Sequence, residues 1–492
     1  MTLSLAAEDQ TLVRLPWWKA MAGRVPQLGG WACIVYLATA LPCVVFLAVL
    51  VPPFQAPDEP NHFRRIAEIL NGGLVGHAGP GIGQSGAVLP RSIARVADSF
   101  MFLAGDPDKK YSADVMREAL EVRWNRSEKA FTEFGNIAIY PPFFYGPAVG
   151  ALAIGRTLDW GVMDSYRLAR AINGVLAALI GAAAIGIVGR GRSLLFVILS
   201  LPMTLSLFAS VSQDALMIPG AMLAVALCSR ATRRPVGRGW PGRLIAALLL
   251  GAAMAGRPPY VFLLIALAIP RMVLGRPVSL VTRTWPVAVA LVVGVGWIAF
   301  GAAPAQTPMR VGSGVSISGQ LHEILRHPML FPSALWNTLS LSGLDHLKEA
   351  IGVLGWLDTP LPDFYYILAI AATLIGALLA VDGALPRPAW RRGCALAAGM
   401  IMASVAVLGA LYLSWTPVGS DVVEGFQGRY LLPIASLAAM AVPALTARRA
   451  SAANPFGKRG VFFRAVGWSA LFALAIANAL WLPSIIFDRY YA

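Results

Sequence analysis

Residues 31–51 read WACIVYLATALPCVVFLAVLV, an apolar run without a single charge. About 20 apolar residues in helical form span the hydrocarbon core of a bilayer. The run shows none of the alternation a strand would need, and helices satisfy their own backbone hydrogen bonds in lipid. Runs of the same kind recur at 285–303, 396–415 and 466–487. The fold class is therefore an all-α polytopic membrane protein. Composition agrees: of 492 residues 57% are hydrophobic and 13% charged, and the mean hydropathy is +0.65. A soluble chain of this length carries about a quarter charged residues.

Arg14, Lys19 and Arg24 precede the first run. The run is longer than a signal peptide needs and no small-x-small cleavage site follows it. Residues 1–29 are expected to be a cytoplasmic segment and 30–51 an uncleaved first transmembrane helix. The net charge of +15 does not point to nucleic acid. It gathers in short connectors, at Arg230, Arg233, Arg234, Arg238 and Arg243, and at Arg448, Arg449, Lys458, Arg459 and Arg464. That is the positive-inside pattern, reinforced by anionic lipid. Cys33, Cys43, Cys228 and Cys394 lie in or beside apolar runs and form no C-x-x-C, so no disulfide framework or zinc site is indicated.

Residues 52–136 carry eleven Asp/Glu and ten Lys/Arg. A long, nearly neutral stretch translocates regardless of charge, so it is expected to be an extracytoplasmic loop. Pro60–Asn71 predicts a helix capped by Asp58 and stopped at Gly72-Gly73, and Ser112–Lys129 a second, amphipathic one. Transmembrane helices are expected over 137–303 and 362–492, with a second extracytoplasmic region at 304–361. The apolar segments number twelve. Loop charges conflict with that count at Arg190-Gly191-Arg192, which favours an irregular 137–170 and an odd total of eleven or thirteen. Arg257-Pro258-Pro259 predicts a tight hairpin.

The string PPFQAPDEPNHFRR, residues 52–65, sets Asp58 and Glu59 just beyond the first helix. His62 returns to the face of Asp58 four residues on. A carboxylate in a membrane-facing cleft suits a general base for a hydroxyl, or ligation of a hard cation that steadies a phosphate; helix capping and solvation is the plainer alternative. Asp214, in Ser212-Gln213-Asp214, sits between two apolar segments, where charged groups usually face an aqueous cavity. Tyr140 and Tyr145 flank two prolines at the head of an apolar segment and serve either substrate contact or an interfacial belt. Arg257 with Tyr260, and Gln427, Arg429 and Tyr430, again head apolar runs. Arginine binds phosphate bidentately, with helix-end snorkelling as the competitor. Gly81–Gly86 matches G-x-G-x-x-G without a preceding strand, so a dinucleotide site is not supported. There is no Walker A sequence, His322, His327 and His346 lack metal-ligand spacing, and Gly146-x-x-x-Gly150 fits close helix packing.

PPFQAPDEPNHF, YPPFFYGP, SVSQDAL, RPPY and QGRYLLP, in that order over about 45 to 435, resemble the bacterial DUF2142 membrane proteins, grouped with the GT-C glycosyltransferases. The resemblance implies a bundle of eleven to thirteen helices in the bacterial inner membrane, with the active site in the first extracytoplasmic loop. It implies inverting transfer of a sugar from a polyprenyl-phosphate donor to a glycan, lipid or protein acceptor. By that resemblance Asp58 is the base, supported by Glu59 and His62; Arg64 is placed with the substrate-binding residues. Asp214 is the second acidic residue, and Arg257 and Arg429 hold the carrier phosphate. Mg²⁺ or Mn²⁺ at Asp58 and Asp214 is compatible but not demanded, because arginines neutralise the phosphate as well. A later acidic residue found in some relatives has no clear equivalent here. Two alternatives stay open: a polymerase or ligase using a diphosphate-linked oligosaccharide, and a transporter or flippase. The latter predicts internal repeats and midplane charges, neither of which is evident. Oligomeric state is not legible in the sequence.

Overall fold

Some apolar segments break at prolines, whereas Pro42, Pro286 and Pro483 lie within unbroken helices. The computed structural model describes residues 28–125, 127–231, 240–269, 272–273, 276–277, 279–308, 310–381, 389–446 and 457–492. Residues 1–27, and the basic connectors at 232–239 and 447–456 on which the charge-bias argument rests, lie outside the described residues. The helices used below are α1 (Leu28–Leu50), α2 (Glu59–Leu70), α3 (Val162–Ile187), α4 (Asp214–Ala231), α5 (Trp240–Gly256), α6 (Leu280–Trp297), α7 (Leu330–Gly352), α8 (Asp363–Ala380), α9 (Ala389–Ser414) and α10 (Gly457–Tyr490).

Among the described residues six helices are long and apolar enough to cross a bilayer: Trp31–Leu50, Val162–Ile187, Leu280–Ala305, Asp363–Ala380, Ala389–Ser414 and Phe462–Tyr490. Gly428–Ala435 and Ala438–Leu445 make a seventh if taken as one span bent by 59°. The chain is thus an all-α polytopic membrane protein, but fewer of its twelve apolar segments are unbroken helices than hydropathy alone predicts. The segment at 193–209 divides into Arg192–Leu199 and Pro202–Phe208. Pro202 lacks an N–H and forces Leu201 into extended backbone (ψ 140°). Of the stretch 137–170 expected to be irregular, 137–161 is broken into short pieces, a 3₁₀ turn at Pro142–Phe144 and the helix Gly146–Thr157 among them, whereas 162–170 belongs to the continuous α3. Residues 258–268 turn back as a 3₁₀ stretch and a short helix that pack on α5.

α3 is the central post, packing against α1, α4 and Gly146–Thr157. Its small residues admit neighbours closely: a Cβ at Gly174 would lie 2.3 Å from Val44 Cγ1. The Gly146/Gly150 pair does not work this way, since a Cβ at either would meet nothing within 4 Å. The notch is instead at Gly155, where a Cβ would lie 2.0 Å from Ser165 Oγ. α1 also packs on α10, so the first and last described helices adjoin.

Between α1 and α3, α2 accompanies a three-stranded antiparallel sheet of β1 (His77–Ala78), β2 (Ser85–Pro90) and β3 (Lys129–Glu133), with Gly86 opposite Glu133. The expected helix at Ser112–Lys129 is shorter: Ser112 caps Ala113–Glu121, and Lys129 opens β3. Gly81–Gly86 forms the turn from β1 into β2 rather than a strand-to-helix loop. Residues 304–361, expected as a second extracytoplasmic region, include a long helix. They contain α7, which packs on Pro202–Phe208, α8 and α9 and leaves Leu341 and Leu344 exposed.

Candidate functional site

Phe54 and Asp58 both adopt positive φ, 64° and 63°. Left-handed backbone costs an L-residue roughly 1–2 kcal/mol, so the surroundings must impose it. They do. The Phe54 amide donates to the Tyr166 hydroxyl at 2.9 Å, and its carbonyl accepts Trp356 Nε1 at 2.9 Å. The Gln55 side chain donates from Nε2 to the Phe100 carbonyl at 2.9 Å. Pro60 then opens α2, where a missing N–H costs nothing. Asp58 holds the N-cap position but makes no side-chain capping bond. Its carboxylate is committed elsewhere, which removes the plain capping explanation.

Oδ2 of Asp58 accepts from Arg429 Nη2 at 2.7 Å and Oδ1 from Asn136 Nδ2 at 3.0 Å. The same guanidinium donates from Nη1 to the Pro57 carbonyl at 3.1 Å and from Nε to Gln427 Oε1 at 2.6 Å. Its Nη1 also lies 3.7 Å from Asp214 Oδ2. Asp214, the first residue of α4, takes Arg257 in a bidentate pair, Nη1 to Oδ1 at 2.7 Å and Nη2 to Oδ2 at 3.0 Å. Arg257 stands over the Tyr430 ring at 4.6 Å and donates to the Tyr260 hydroxyl at 3.3 Å. Tyr260 in turn donates to the Tyr430 carbonyl at 2.8 Å. The Tyr140 hydroxyl is within electrostatic range of Arg257, Asp58 and Asp214. Four separate stretches of chain thus build one network of two carboxylates and two guanidinium ions.

Exposure separates the four. The Asp58 side chain is 27% exposed, against 11% for Arg257 and 1% for Arg429 and Asp214. Asp58 is the carboxylate an incoming molecule can reach. Asp214 is the buried counter-ion that fixes both arginines, and removing one partner of such a buried pair typically costs 3–5 kcal/mol.

The other expected site residues divide. His62 Nδ1 lies 2.6 Å from the Tyr145 hydroxyl, both groups buried beside the network. Glu59 is buried and turned to scaffolding. Its Oε1 accepts the Val211 amide at 3.0 Å and its Oε2 the Ala56 amide at 3.2 Å, with Arg170 Nε 3.8 Å away. It is therefore a strut between the Asp58 turn and the turn that carries Asp214, not a group facing substrate. Arg64 pairs with Asp98 and donates to Asn61 Oδ1 at 2.7 Å. It meets the network only through the relay Asn61 to Asn136 to Asp58.

Two sets of contributors escaped sequence reasoning. Asn61 stood within the quoted string, three residues after the cap, but an amide carries no charge to draw notice; Asn136 lay in the connector before the tyrosines. Glu349 had no signal: its Oε2 accepts the Gly428 amide at 2.7 Å and His346 Nδ1 at 3.2 Å, which seats the loop carrying Arg429. No three His, Cys, Asp or Glu side chains gather as metal ligands among the described residues.

An apolar groove of about 430 Å³ lies between α7, α9 and the segment that follows Tyr430. Leu335 and Leu339 of α7, Met400 and Leu408 of α9, and Leu431 and Ile434 line it. The last two follow Arg429 within a few residues.

No curated protein and no solved structure matches this chain. The profile of one family, described as "Predicted membrane protein (DUF2142)", matches residues 41–438. That span contains α1 from its middle onward, every residue of the Asp58–Arg429–Asp214–Arg257 network and the groove, so the chain belongs to the DUF2142 family of membrane proteins.

Proposed function

We propose that the protein is a GT-C-type glycosyltransferase that moves a sugar, with inversion, from a polyprenyl-phosphate carrier to an acceptor hydroxyl on the outer side of a bacterial inner membrane. One observation carries the proposal. A reachable carboxylate, Asp58, shares a network with the buried Arg429 and the largely covered Arg257, and Leu431, two residues after Arg429, lines an apolar groove.

Direct transfer from a lipid phosphate needs these three features within reach of one another. The lipid tail lies in the groove, burying apolar surface worth about 25 cal/mol per Å². The phosphate sits at the Arg257–Arg429 end, where fixed cations stabilise the charge that grows on the leaving group. The acceptor hydroxyl gives its proton to Asp58. Its oxygen forms the new bond to the anomeric carbon as the bond from that carbon to the phosphate oxygen breaks. The phosphate departs as an anion paired with the arginines. Tyr140 and Tyr430 supply ring faces and hydroxyls beside the sugar, and Asp214 keeps both guanidinium ions in place.

The test compares wild type with Asp58→Asn, each in detergent with a panel of polyprenyl-phosphate sugars and a bacterial glycan extract. Free polyprenyl phosphate is measured by mass spectrometry. Wild type is expected to release it, and the variant to fall by about 10²-fold or more, the usual scale of a lost general base. Equal release by both proteins sinks Asp58 as the base. No release from any donor by folded wild type overturns the transferase assignment.

A further inference from the structure

A second polar site lies outside the charge network, at the head of α3. Gly146–Thr157 packs on α3, and the turn between them is closed by the Trp160 amide, which donates to the Gly155 carbonyl at 2.8 Å. The start of α3 is stitched to the segment after Ala113–Glu121. The Val162 amide donates to the Val122 carbonyl at 3.0 Å, and a Cβ at Gly161 would lie 3.0 Å from the Leu120 carbonyl oxygen. That close approach brings Arg123 to the turn, where its Nη1 donates to the Asp159 carbonyl at 3.0 Å. The result is an open pocket of about 560 Å³ lined by Arg123, Asp159, Trp160, Asp164, Arg167 and Leu168. Its volume falls in the range of small-molecule sites, roughly 300–1,000 Å³.

The two guanidinium ions and two carboxylates balance to zero. Arg167 and Asp164 stand 3.6 Å apart with side chains 45% and 46% exposed. Exposed pairs of this kind hold weakly, so both groups are open to a ligand. Beyond that pair Arg167 donates to Met116 Sδ, a weak acceptor, at 3.2 Å, which leaves it N–H groups for a ligand. Depth follows from Arg170, one turn along α3, which donates to the Leu47 and Val51 carbonyls where the first apolar run ends. α3 runs antiparallel to α1, since Gly174 adjoins Val44 and Gly181 adjoins Tyr36. Arg167 therefore lies about 4.5 Å beyond Arg170, at 1.5 Å per residue, which is headgroup depth. The exposed Trp160 is a ring type that favours this level. Below the pocket, Leu168, Ala171, Val175 and Leu179 share one face of α3, and the last two are exposed. This stripe is about 16 Å long, close to half of a hydrocarbon core of about 30 Å.

We propose that this pocket and stripe bind a zwitterionic phospholipid whose headgroup ends in a primary ammonium, as in phosphatidylethanolamine. The phosphate accepts from Arg123 and Arg167, the ammonium donates to Asp159 and Asp164, and one acyl chain lies along Leu168, Ala171, Val175 and Leu179. Charge complementarity selects this occupant. An anionic headgroup satisfies the arginines but sets its charge beside two carboxylates. A choline headgroup carries its charge without an N–H, so the carboxylates lose the charge-assisted hydrogen bonds that are the strong ones. The site stands apart from the transferase reading, because none of its residues belongs to the Asp58–Arg429–Asp214–Arg257 network.

The test is native mass spectrometry of the full chain, released from detergent micelles that hold equimolar dioleoyl phosphatidylethanolamine, phosphatidylglycerol and phosphatidylcholine. Wild type is expected to retain phosphatidylethanolamine about tenfold more than either of the others, tenfold being about 1.4 kcal/mol. The double variant Asp159→Asn/Asp164→Asn removes the partners of the ammonium and keeps both arginines, so its preference moves to phosphatidylglycerol. Arg123→Gln/Arg167→Gln loses the preference altogether. All four side chains lie at the surface, and Asn tolerates the positive φ of Asp159, 55°, as Asp does, so neither variant disturbs the packing. Equal retention of the three lipids by wild type overturns the proposal and leaves only annular lipid. A wild-type preference for phosphatidylglycerol or phosphatidylcholine overturns it as well. A preference for phosphatidylethanolamine that survives in either variant places that lipid elsewhere on the protein and overturns it too.

Discussion

The imidazole of His62 is 2% exposed and lies 2.6 Å from the Tyr145 hydroxyl. Burial lowers its pKa from 6.5 to about 4, outweighing the opposing pull of Asp58 and Asp214. It is therefore neutral at physiological pH and adds no cation to the network; its part is to orient Tyr145. The unfolded chain binds this proton below about pH 6.5 and the folded chain only below about 4. Between those values unfolding takes up a proton, so the contribution of His62 is fully present above pH 6.5 and is lost as the pH falls towards 4. Its full size is roughly 3 kcal/mol at 1.36 kcal/mol per unit. The melting temperature of wild type is expected to drop across that window, and His62→Gln to flatten the drop; an unchanged slope in the variant would assign the acid sensitivity to other groups. The same few residues show how far the sequence reached. Asp58, Asp214, Arg257 and Arg429 were legible because each puts a charge at the end of an apolar run. Their pairing was not, because contacts between positions 58 and 429 are set by packing alone. Glu59 and Arg64 adjoin Asp58 in the chain yet serve other contacts, since a helix turns about 100° per residue and sends neighbours to different faces.

At the scale of elements, α7 is the part the sequence undervalued. Its mixture of leucine, serine and charge lowers its hydropathy, and residues 304–361 therefore stood out only as a polar external region. In the fold its C-terminal turn grips the QGRY segment. The Gly428 amide donates to Glu349 Oε2, and a Cβ at Gly428 would lie 2.0 Å from the His346 carbonyl and 2.5 Å from the Ala350 nitrogen. Both obstacles are backbone, which cannot rotate aside, so even one methyl must push Arg429 and α7 apart. Gly428→Ala is expected to cost at least 1–3 kcal/mol, the usual scale of overpacking, and to abolish the proposed transfer because Arg429 leaves the phosphate position. A melting scan and the polyprenyl phosphate assay together check this. Near-wild-type values in both would show that the α7 contact does not position Arg429. The broken helices teach a related lesson. Hydropathy marked 137–155 and 193–209 as spans because it weighs residues by transfer energy, whereas Pro142 and Pro202 act through a missing N–H and a fixed φ.

For the whole molecule, the decisive feature is where the polar network meets the lipid-facing body. α1, α3 and α4 bring Asp58 and Asp214 together, and α7, α9 and the helix after Tyr430 form the groove. If a carrier tail occupies that groove, tail length and head chemistry are recognised by separate parts of the protein. A bulky side chain in the groove should then discriminate between donors by length alone. Ile434→Trp enlarges a residue that lines the groove and changes no member of the charge network. With a long polyprenyl-phosphate donor, the variant is expected to show a KM raised by about tenfold or more, equivalent to losing the burial of a few methylene groups at about 0.8 kcal/mol each. With a donor bearing a single short isoprenoid, kcat/KM should stay within about twofold of wild type, because that tail ends before the obstruction. Equal loss on both donors would mean that the substitution damages the head site or the fold. No loss on either would place the carrier tail elsewhere on the membrane face, and the groove would then be ordinary packing between α7 and α9.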